Sequence, residues 1–251
     1  MIQFVKAEYF KLWKSRSLWP VFGLLSLPVL FSLLVFLEID GLTIMPGGFS
    51  LFTFANNLWQ FLVGTSVSVV LFASLGSSLG KELQTGTMVY QATRVGNRNR
   101  LMQAKVLTLL SLNLVYFFLF HAIGAVAYLL LIHGGPYGSE SVWDVATQQE
   151  LTLGLVGLGI QIGFSFLAMF LSLRLQMISV ILFSFVGGMG LSYLSSLEQI
   201  ALYIPGSLFY KPSLVPDDQF YATFLFQMAA IGVISLIAIF MSKKKFAAAS
   251  L

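Results

Sequence analysis

Long apolar stretches separated by short polar segments dominate the pattern of this chain. Six of them reach or exceed the roughly 20 residues that a helix needs to cross about 30 Å of hydrocarbon. Because strands with open edges leave backbone groups unpaired in lipid, each stretch predicts a membrane-spanning helix. The six predicted spans are Leu18–Leu37, Leu58–Leu79, Gln103–Ile132, Leu151–Leu171, Ile178–Leu197 and Ala222–Met241.

Composition supports this interpretation. Of the 251 residues, 57% are hydrophobic and only 10% are charged, whereas a soluble domain carries about 25% charged residues. We therefore expect one all-α integral membrane domain over residues 1–251. The chain has no cysteine, which excludes disulfides, zinc–thiolate sites and thiol catalysis. Its basic residues flank apolar spans instead of lining one soluble face, so no nucleic-acid partner is expected.

The distribution of lysine and arginine predicts an orientation. Thirteen of the fourteen basic residues fall in residues 1–17, 80–105 and 174 or in the C-terminal tail. The other side holds only Lys211 together with most of the acidic residues. Since positive residues favour the cytoplasmic side, both termini are expected to be cytoplasmic, which six spans satisfy.

Residues 1–17 precede the first span and are predicted to form an amphipathic helix on the membrane surface. At helical spacing, one face of that helix is apolar, and Lys11 and Lys14 fall opposite it. The alternative is a basic flank that only fixes orientation, and the two interpretations are compatible. The apolar face consists of Ile2, Val5, Tyr9, Leu12 and Trp13.

Residues 80–100, GKELQTGTMVYQATRVGNRNR, form the main predicted cytoplasmic loop, between the second and third spans. The segment is too short for a folded domain. We expect the second span to continue into it and to break near Gly86. A short helix with Thr87 as its N-cap and a turn at Gly96–Asn97 should follow. A basic connector with no partner is the alternative for this loop.

The loop resembles the first cytoplasmic loop of ABC-2 type transporter permeases. The similarity rests on Glu82, the Gly86–Thr87 pair, the run Thr93–Arg98 and Lys105 at the start of the third span. Val95 stands where that family usually has proline. The N-terminal run Glu8–Leu12, followed by Lys14–Trp19, also resembles the family's opening segment. Among its members, the small permeases of bacteriocin self-immunity and of peptide or drug efflux are the most similar.

The resemblance implies a permease subunit in the bacterial cytoplasmic membrane that works with separate ATPase subunits. ATP and Mg²⁺ would bind to those subunits, since this chain lacks the G-x-x-x-x-G-K-[ST] phosphate loop. A second copy or a related permease would complete the exporter. The coupling residues implied are Glu82, Gly86, Thr87, Met88, Tyr90, Arg94, Arg98 and Lys105, with Glu8, Tyr9, Lys11, Trp13 and Lys14 on the N-terminal helix. Glu82 is expected to pair with a basic group nearby or on the ATPase.

Few polar side chains lie inside the predicted spans, and four of them are candidates for a cargo path: Asn113, His121, Gln161 and Ser165. The alternative for each is an interhelical hydrogen bond that holds the bundle together. With almost no buried charge, the walls suit a hydrophobic or amphipathic cargo, such as a membrane-active peptide or a lipophilic drug. The segment 198–221 is expected to be an extracellular re-entrant or surface-lying element.

Two other classes remain as alternatives. An ion-coupled secondary transporter or channel would usually contain buried carboxylates or interrupted helices in repeated halves. An intramembrane protease is a remote alternative, suggested by Gly163-Phe164-Ser165. The last span has no histidine to activate that serine, and the chain is not expected to be an enzyme.

Overall fold

The computed structural model describes residues 1–37, 47–84, 98–139 and 145–248. Over these ranges the protein is helical, apart from turns, short connections and one isolated bridge between Phe49 and Gly138. The helices are α1 (Ile2–Lys14), α2 (Trp19–Leu24), α3 (Leu27–Phe36), α4 (Leu51–Gly64), α5 (Val67–Gln84), α6 (Arg98–Leu131), α7 (Val145–Leu171), α8 (Met177–Ser195), α9 (Ser207–Tyr210) and α10 (Phe220–Ala248). Single 3₁₀ turns lie at Ala201–Tyr203, Pro212–Leu214 and Asp217–Gln219. The predicted all-α class is confirmed.

Among the described residues, five helical stretches are long and apolar enough to cross a membrane, and a bent pair of helices passes the same test. Large apolar side chains point outwards from them: Ile178 of α8 is 71% exposed and Phe240 of α10 is 67% exposed. In water, so much exposed apolar surface would cause association. The molecule is therefore a multi-pass membrane protein. The five stretches are Trp19–Phe36, Asn99–Leu131, Gln148–Leu171, Met177–Ser195 and Asp217–Phe246.

The second predicted span is interrupted. Leu58–Leu79 was expected to be one continuous helix, and that prediction is wrong. Instead α4 ends at Gly64, α5 begins at Val67, and the apolar parts of the two helices meet at 63°. Ser66 between them has a φ of 61°, a left-handed conformation that a non-glycine residue seldom adopts and that stops the α-helical hydrogen-bond pattern.

Despite this bend, α4 and α5 together follow α6 from end to end. Glu82 of α5 contacts Lys105 of α6, and the rings of Phe72 and Tyr116 lie 5.1 Å apart. Near the other end of α6, Phe54 of α4 lies 6.2 Å from Tyr128. At 1.5 Å per residue, α6 rises about 35 Å between Lys105 and Tyr128, so the bent pair extends across a full membrane thickness.

Helix α7 lies at the centre of the bundle. Of its most apolar 18 residues, 72% are buried, against 17% for α8. Small residues on the surface of α7 let the backbones of neighbouring helices approach closely. Gly159 and Gly163 face Ile231 of α10. A Cβ on Gly76 of α5 would overlap the carbonyl oxygen of Ser165. Close approach through small residues is the usual way in which membrane helices pack.

The segment between α8 and α10 turns back into the bundle. Leu208 is fully buried and Phe209 is 5% exposed; the latter packs against Gly157 of α7. The side chain of Gln227 in α10 holds this segment: its Oε1 accepts from the backbone N–H groups of Gly206 (3.0 Å) and Leu208 (3.1 Å). Backbone that is not helical can lie at membrane depth only when its polar groups are paired in this way.

Candidate functional site

Four charged side chains from three separate segments meet at one end of the bundle. Glu8 and Lys11 belong to α1, Glu82 to the end of α5 and Lys105 to the second turn of α6. Lys105 Nζ lies 2.9 Å from Glu8 Oε2 and 2.6 Å from Glu82 Oε2. Lys11 Nζ lies 2.9 Å from Glu8 Oε1 and 2.6 Å from Glu82 Oε1. We call this closed arrangement, in which every lysine bridges the same two carboxylates, the charge ring.

Burial makes the charge ring more than a surface ion pair. The side chain of Lys105 is 3% exposed, that of Glu8 10%, that of Glu82 19% and that of Lys11 34%. An isolated charge in such a place is strongly destabilising, and partners on both sides offset that cost. The ring therefore favours one arrangement of α1, α5 and α6, because separating any of them would break two of the four ion pairs.

The ionised forms of Glu82 and Lys11 are favoured by their partners in the ring. Burial raises the pKa of Glu82, but the ammonium groups of Lys105 and Lys11 outweigh it and bring that pKa below its ordinary value of 4.5. Burial lowers the pKa of Lys11, but the carboxylates of Glu8 and Glu82 outweigh this effect and raise that pKa above 10.5. Both groups are charged at neutral pH.

Local packing positions α1 for these contacts. Glu8 and Lys11 are three residues apart and so share one side of the helix. Leu12, one turn after Glu8, is buried against the bundle. The hydroxyl groups of Tyr9 and Ser111 lie 2.7 Å apart, which fixes α1 against α6 beyond Lys105. The N-terminal helix is thus docked on the protein.

The docked face of α1 includes part of the predicted apolar face. Leu12 is buried and the Tyr9 hydroxyl contacts Ser111, whereas Ile2 is 73% and Trp13 57% exposed. Lys11, predicted on the opposite face, reaches Glu82. Apolar contacts and ion pairs therefore dock this helix together, and Ile2 and Trp13 face its surroundings. Trp13 contacts Phe22 edge-on at 5.9 Å, and Lys14 Nζ lies 5.9 Å from the ring centre of Phe10.

The remaining coupling residues suggested by the sequence lie beside this site or outside the described residues. Arg98 is the first residue of α6. Glu82 was expected to pair with a basic group nearby or on the ATPase. In the structure it pairs with Lys105 and Lys11 of its own chain. Gly86, Thr87, Met88, Tyr90 and Arg94, with the predicted break, cap and short helix, fall in 85–97, outside the described residues.

Three of the four candidate path residues form one cluster inside the bundle. Asn113 Oδ1 of α6 accepts from Gln161 Nε2 of α7 at 3.0 Å, and Asn113 Nδ2 lies 3.3 Å from Ser165 Oγ. All three residues are fully buried. Their hydrogen bonds join α6 to α7, which is the alternative given for these residues from the sequence. A role in a cargo path stays a prediction.

His121 is separate from that cluster. Its Nδ1 lies 2.9 Å from the carbonyl oxygen of Phe117, one turn earlier in α6. Its ring lies 4.2 Å from the Phe117 ring and 5.9 Å from that of Trp59. Nε2 is buried and has no hydrogen-bond partner among the described residues. The histidine therefore sits in an aromatic environment, with one ring nitrogen satisfied locally.

A second polar cluster lies at the far end of the bundle, where α4 meets the start of α7. The amide nitrogens of Asn56 and Gln60 lie 3.0 and 2.8 Å from Glu150 Oε2. From the sequence, Glu150 was expected only to be one of the acidic residues on the side opposite the basic segments. The i, i+4 spacing of Asn56 and Gln60 was the available signal, since it places two amides on one face of α4.

Comparison with known proteins gives no family assignment: the chain matches no known family profile, no curated protein and no solved structure.

Proposed function

We propose that this chain is the membrane-spanning permease subunit of an ATP-driven exporter of the ABC-2 type, in the bacterial cytoplasmic membrane. Separate ATPase subunits carry ATP and Mg²⁺, and a second copy or a related permease completes the transporter. The cargo is hydrophobic or amphipathic, such as a membrane-active peptide or a lipophilic drug. The loop at 80–100 docks on the ATPase.

The order of contacts between helices supports six spans. If α4 and α5 form one broken span, consecutive spans alternate in direction. The bent pair then runs antiparallel to α6 and parallel to α7, as the contacts Asn56–Glu150 and Gly76–Ser165 require. Six crossings place α1 and the end of α10 on one side, which lysine and arginine mark as cytoplasmic.

The observation that carries the proposal is the charge ring. Glu82 and Lys105 lie on the two helices that lead into and out of the loop, and both also bind to α1. A force applied to the loop would therefore reach three helices together. This is what an external ATPase needs if it is to move a permease through a short loop.

The proposed mechanism follows from this connection. Closure of the ATPase subunits on ATP displaces the loop, and the charge ring moves α1, α5 and α6 with it. Two permease bundles then change between inward- and outward-facing arrangements. Cargo shifts that equilibrium only through its different affinity for the two states.

The walls of the molecule favour an apolar cargo. A groove of about 600 Å³ lies between α3 and α4 and is lined mainly by leucine and phenylalanine. Another, of about 390 Å³, lies between α7, α8 and α10. Such surfaces bind a hydrocarbon chain more readily than a small inorganic ion, which would lose its hydration at high cost.

The test is purification of the tagged chain from its own cells in a mild detergent. We expect an ATP-hydrolysing subunit to copurify. Replacing Met88 and Tyr90 together by aspartate should release that subunit, while insertion of the chain into the membrane stays normal. Replacing Phe240, an outward-facing residue of α10, by alanine is the matched control and should retain it. Purification without any ATP-hydrolysing protein would contradict the proposal.

A further inference from the structure

An apolar groove of about 320 Å³ lies where α1, α2 and α6 meet. Helix α1 contributes Tyr9, Phe10 and Trp13 to its lining, and Phe22 of α2 and Val115 of α6 are among the apolar side chains on the other walls. Phe10, Trp13 and Val115 are each half exposed or more. The groove is therefore open to the surroundings of the protein, and it has the size of a small-molecule site.

The groove follows the beginning of the first membrane-spanning stretch. That stretch starts at Trp19, the first residue of α2. On α2 the lining extends from Leu18 to Leu25, a rise of about 10 Å at 1.5 Å per residue. Half of the hydrocarbon thickness is about 15 Å, so the groove lies within one leaflet of the bilayer.

Two cations lie at the edge of this groove. The chain turns from α1 into α2 through Arg16, whose φ is 59° and whose carbonyl oxygen accepts from the Trp19 N–H at 3.1 Å. Arg16 Cζ lies 5.9 Å from the ring centre of Trp19, which follows the lining residue Leu18. On the other side of the turn, Lys14 Nζ lies 5.9 Å from the ring centre of Phe10, which is itself part of the lining.

These cations have no counter-charge in the described part of the chain. Glu8 is the one acidic residue in 1–17, and it already pairs with Lys11 and Lys105. The described ion pairs include neither Lys14 nor Arg16. A flank that only fixes orientation needs the positive charges, but it does not need an open apolar groove beside them.

An anionic phospholipid matches both features of this surface. Its phosphate group suits the two cations, and its acyl chain suits the apolar groove at the depth of one leaflet. A zwitterionic lipid would fill the groove and leave the positive charges uncompensated, whereas a soluble phosphate would leave the groove empty. Anionic lipids are also the lipids that basic segments next to a membrane span attract.

We infer that Lys14, Arg16 and the groove between α1, α2 and α6 form a binding site for an anionic phospholipid. The phosphate group pairs with the two cations, and one acyl chain lies in the groove along Phe10, Trp13 and Phe22. Because three helices line the site, the bound lipid also holds α1 in its docked position. The inference goes beyond the proposed function, and binding of the lipid needs no ATPase.

The experiment measures lipid binding to the purified full chain in detergent by native mass spectrometry. Dioleoylphosphatidylglycerol is compared with dioleoylphosphatidylcholine, because the two lipids share their acyl chains and differ in net charge. Glycerophosphoglycerol, which is the headgroup without acyl chains, is added as a competitor. The charge variant is Lys14→Gln/Arg16→Gln. Its control, Lys243→Gln/Lys244→Gln, removes two exposed lysines near the end of α10.

A second pair of variants tests the groove without changing charge. Val115→Trp places a large side chain in the groove. Val126→Trp adds the same side chain at another exposed position of α6, outside the groove lining. Competition by the headgroup tests the contact with the acyl chain independently of these variants.

We expect one phosphatidylglycerol to bind at least about tenfold more tightly than phosphatidylcholine, because each basic residue near an anionic group contributes about fivefold. Lys14→Gln/Arg16→Gln should remove most of this preference. Val115→Trp should weaken binding about tenfold, which corresponds to the lost burial of two methylene groups. Both controls should change binding less than about twofold, since exposed charges outside the site interact weakly. The headgroup alone should displace nothing.

Several results would overturn the inference. Equal binding of the two lipids, or an unchanged preference in the charge variant, would show that the cations do not recognise a phosphate group. Displacement by the headgroup alone, or normal binding to a folded Val115→Trp, would place the acyl chain elsewhere. A dimer that Val115→Trp abolishes, without lipid binding, would identify a second copy as the occupant. None of these results affects the ATPase copurification, so the two proposals fail separately.

Discussion

Lys105 Nζ lies 2.6 Å from Glu82 Oε2, so an ion pair joins the helix that enters the 85–97 segment to the helix that leaves it. The same two side chains bind to Glu8 and Lys11 of α1. The four ion pairs thereby link α1, α5 and α6.

Replacing Lys105 by methionine should destabilise the protein by about 3–5 kcal/mol, because Glu8 and Glu82 would both lose the buried ammonium group that they share. The measurement is the unfolding midpoint of the detergent-solubilised protein. Removing a carboxylate as well, in Glu82→Gln/Lys105→Met, should recover part of the loss. If Lys105→Met unfolds like the wild type, the ring contributes nothing to the fold.

The stability that Glu82 contributes should depend on pH. Its pKa is lowered from 4.5 in the folded protein, so this contribution is fully present above pH 4.5 and is lost as the pH falls through the lower folded value. Lys11, with a pKa raised above 10.5, contributes fully below pH 10.5. The difference in unfolding temperature between wild type and Glu82→Gln should therefore stay constant from about pH 5 to neutral pH and shrink in acid. A constant difference down to acid pH would contradict this account.

Much of the helical fold could be predicted from the apolar pattern alone. The third, fourth and fifth predicted spans begin within six residues of α6, α7 and α8, because membrane helices need long apolar stretches. The break at Ser66 was not predicted, although Gly64 two residues earlier was an available signal, since glycine and serine often accompany helix kinks. Gly188 of α8 packs against the Ser66 side chain, a contact that only the assembled bundle provides.

Packing between α5 and α7 should depend on Gly76. Its Cβ position meets the backbone carbonyl of Ser165, which cannot move without shifting α7. Gly76→Ala should destabilise the protein by about 1–3 kcal/mol. Gly190→Ala is the control, because a Cβ there meets nothing within 4 Å. Thermal unfolding compares the two, and equal behaviour would show that α5 and α7 are not closely packed.

The segment before α10 should open when Gln227 is replaced by methionine. This change removes the acceptor of the Gly206 and Leu208 N–H groups and the donor to Ser207 Oγ, which lies 2.8 Å from Nε2. The local cost should be about 1–3 kcal/mol, seen as faster hydrogen exchange at 206–208. Ser207→Ala keeps both backbone bonds and should have a smaller effect. Unchanged exchange in Gln227→Met would contradict the proposed anchoring.

The candidate sites were harder to predict than the spans. Glu8, Lys11, Glu82 and Lys105 were each identified from the sequence, but separations of 71 and 97 residues hid two of their four ion pairs. The partners of Glu150 were hidden in the same way, 90 and 94 residues earlier. Charge pairs between distant segments depend on helix rotation, and the docked face of α1 combines Tyr9 and Leu12 of the predicted apolar face with Glu8 and Lys11.

The most direct test of the central claim places cysteine at Met88 or Tyr90 in this cysteine-free chain. Disulfide cross-linking to single cysteines on the copurifying ATPase is then measured without nucleotide, with ATP and after ADP–vanadate trapping. We predict specific cross-links at both positions whose yield changes between nucleotide states, and none from cysteine at Tyr203, which we place on the outer side. If residues 88 and 90 form no cross-link in any nucleotide state, the loop does not couple this chain to an ATPase.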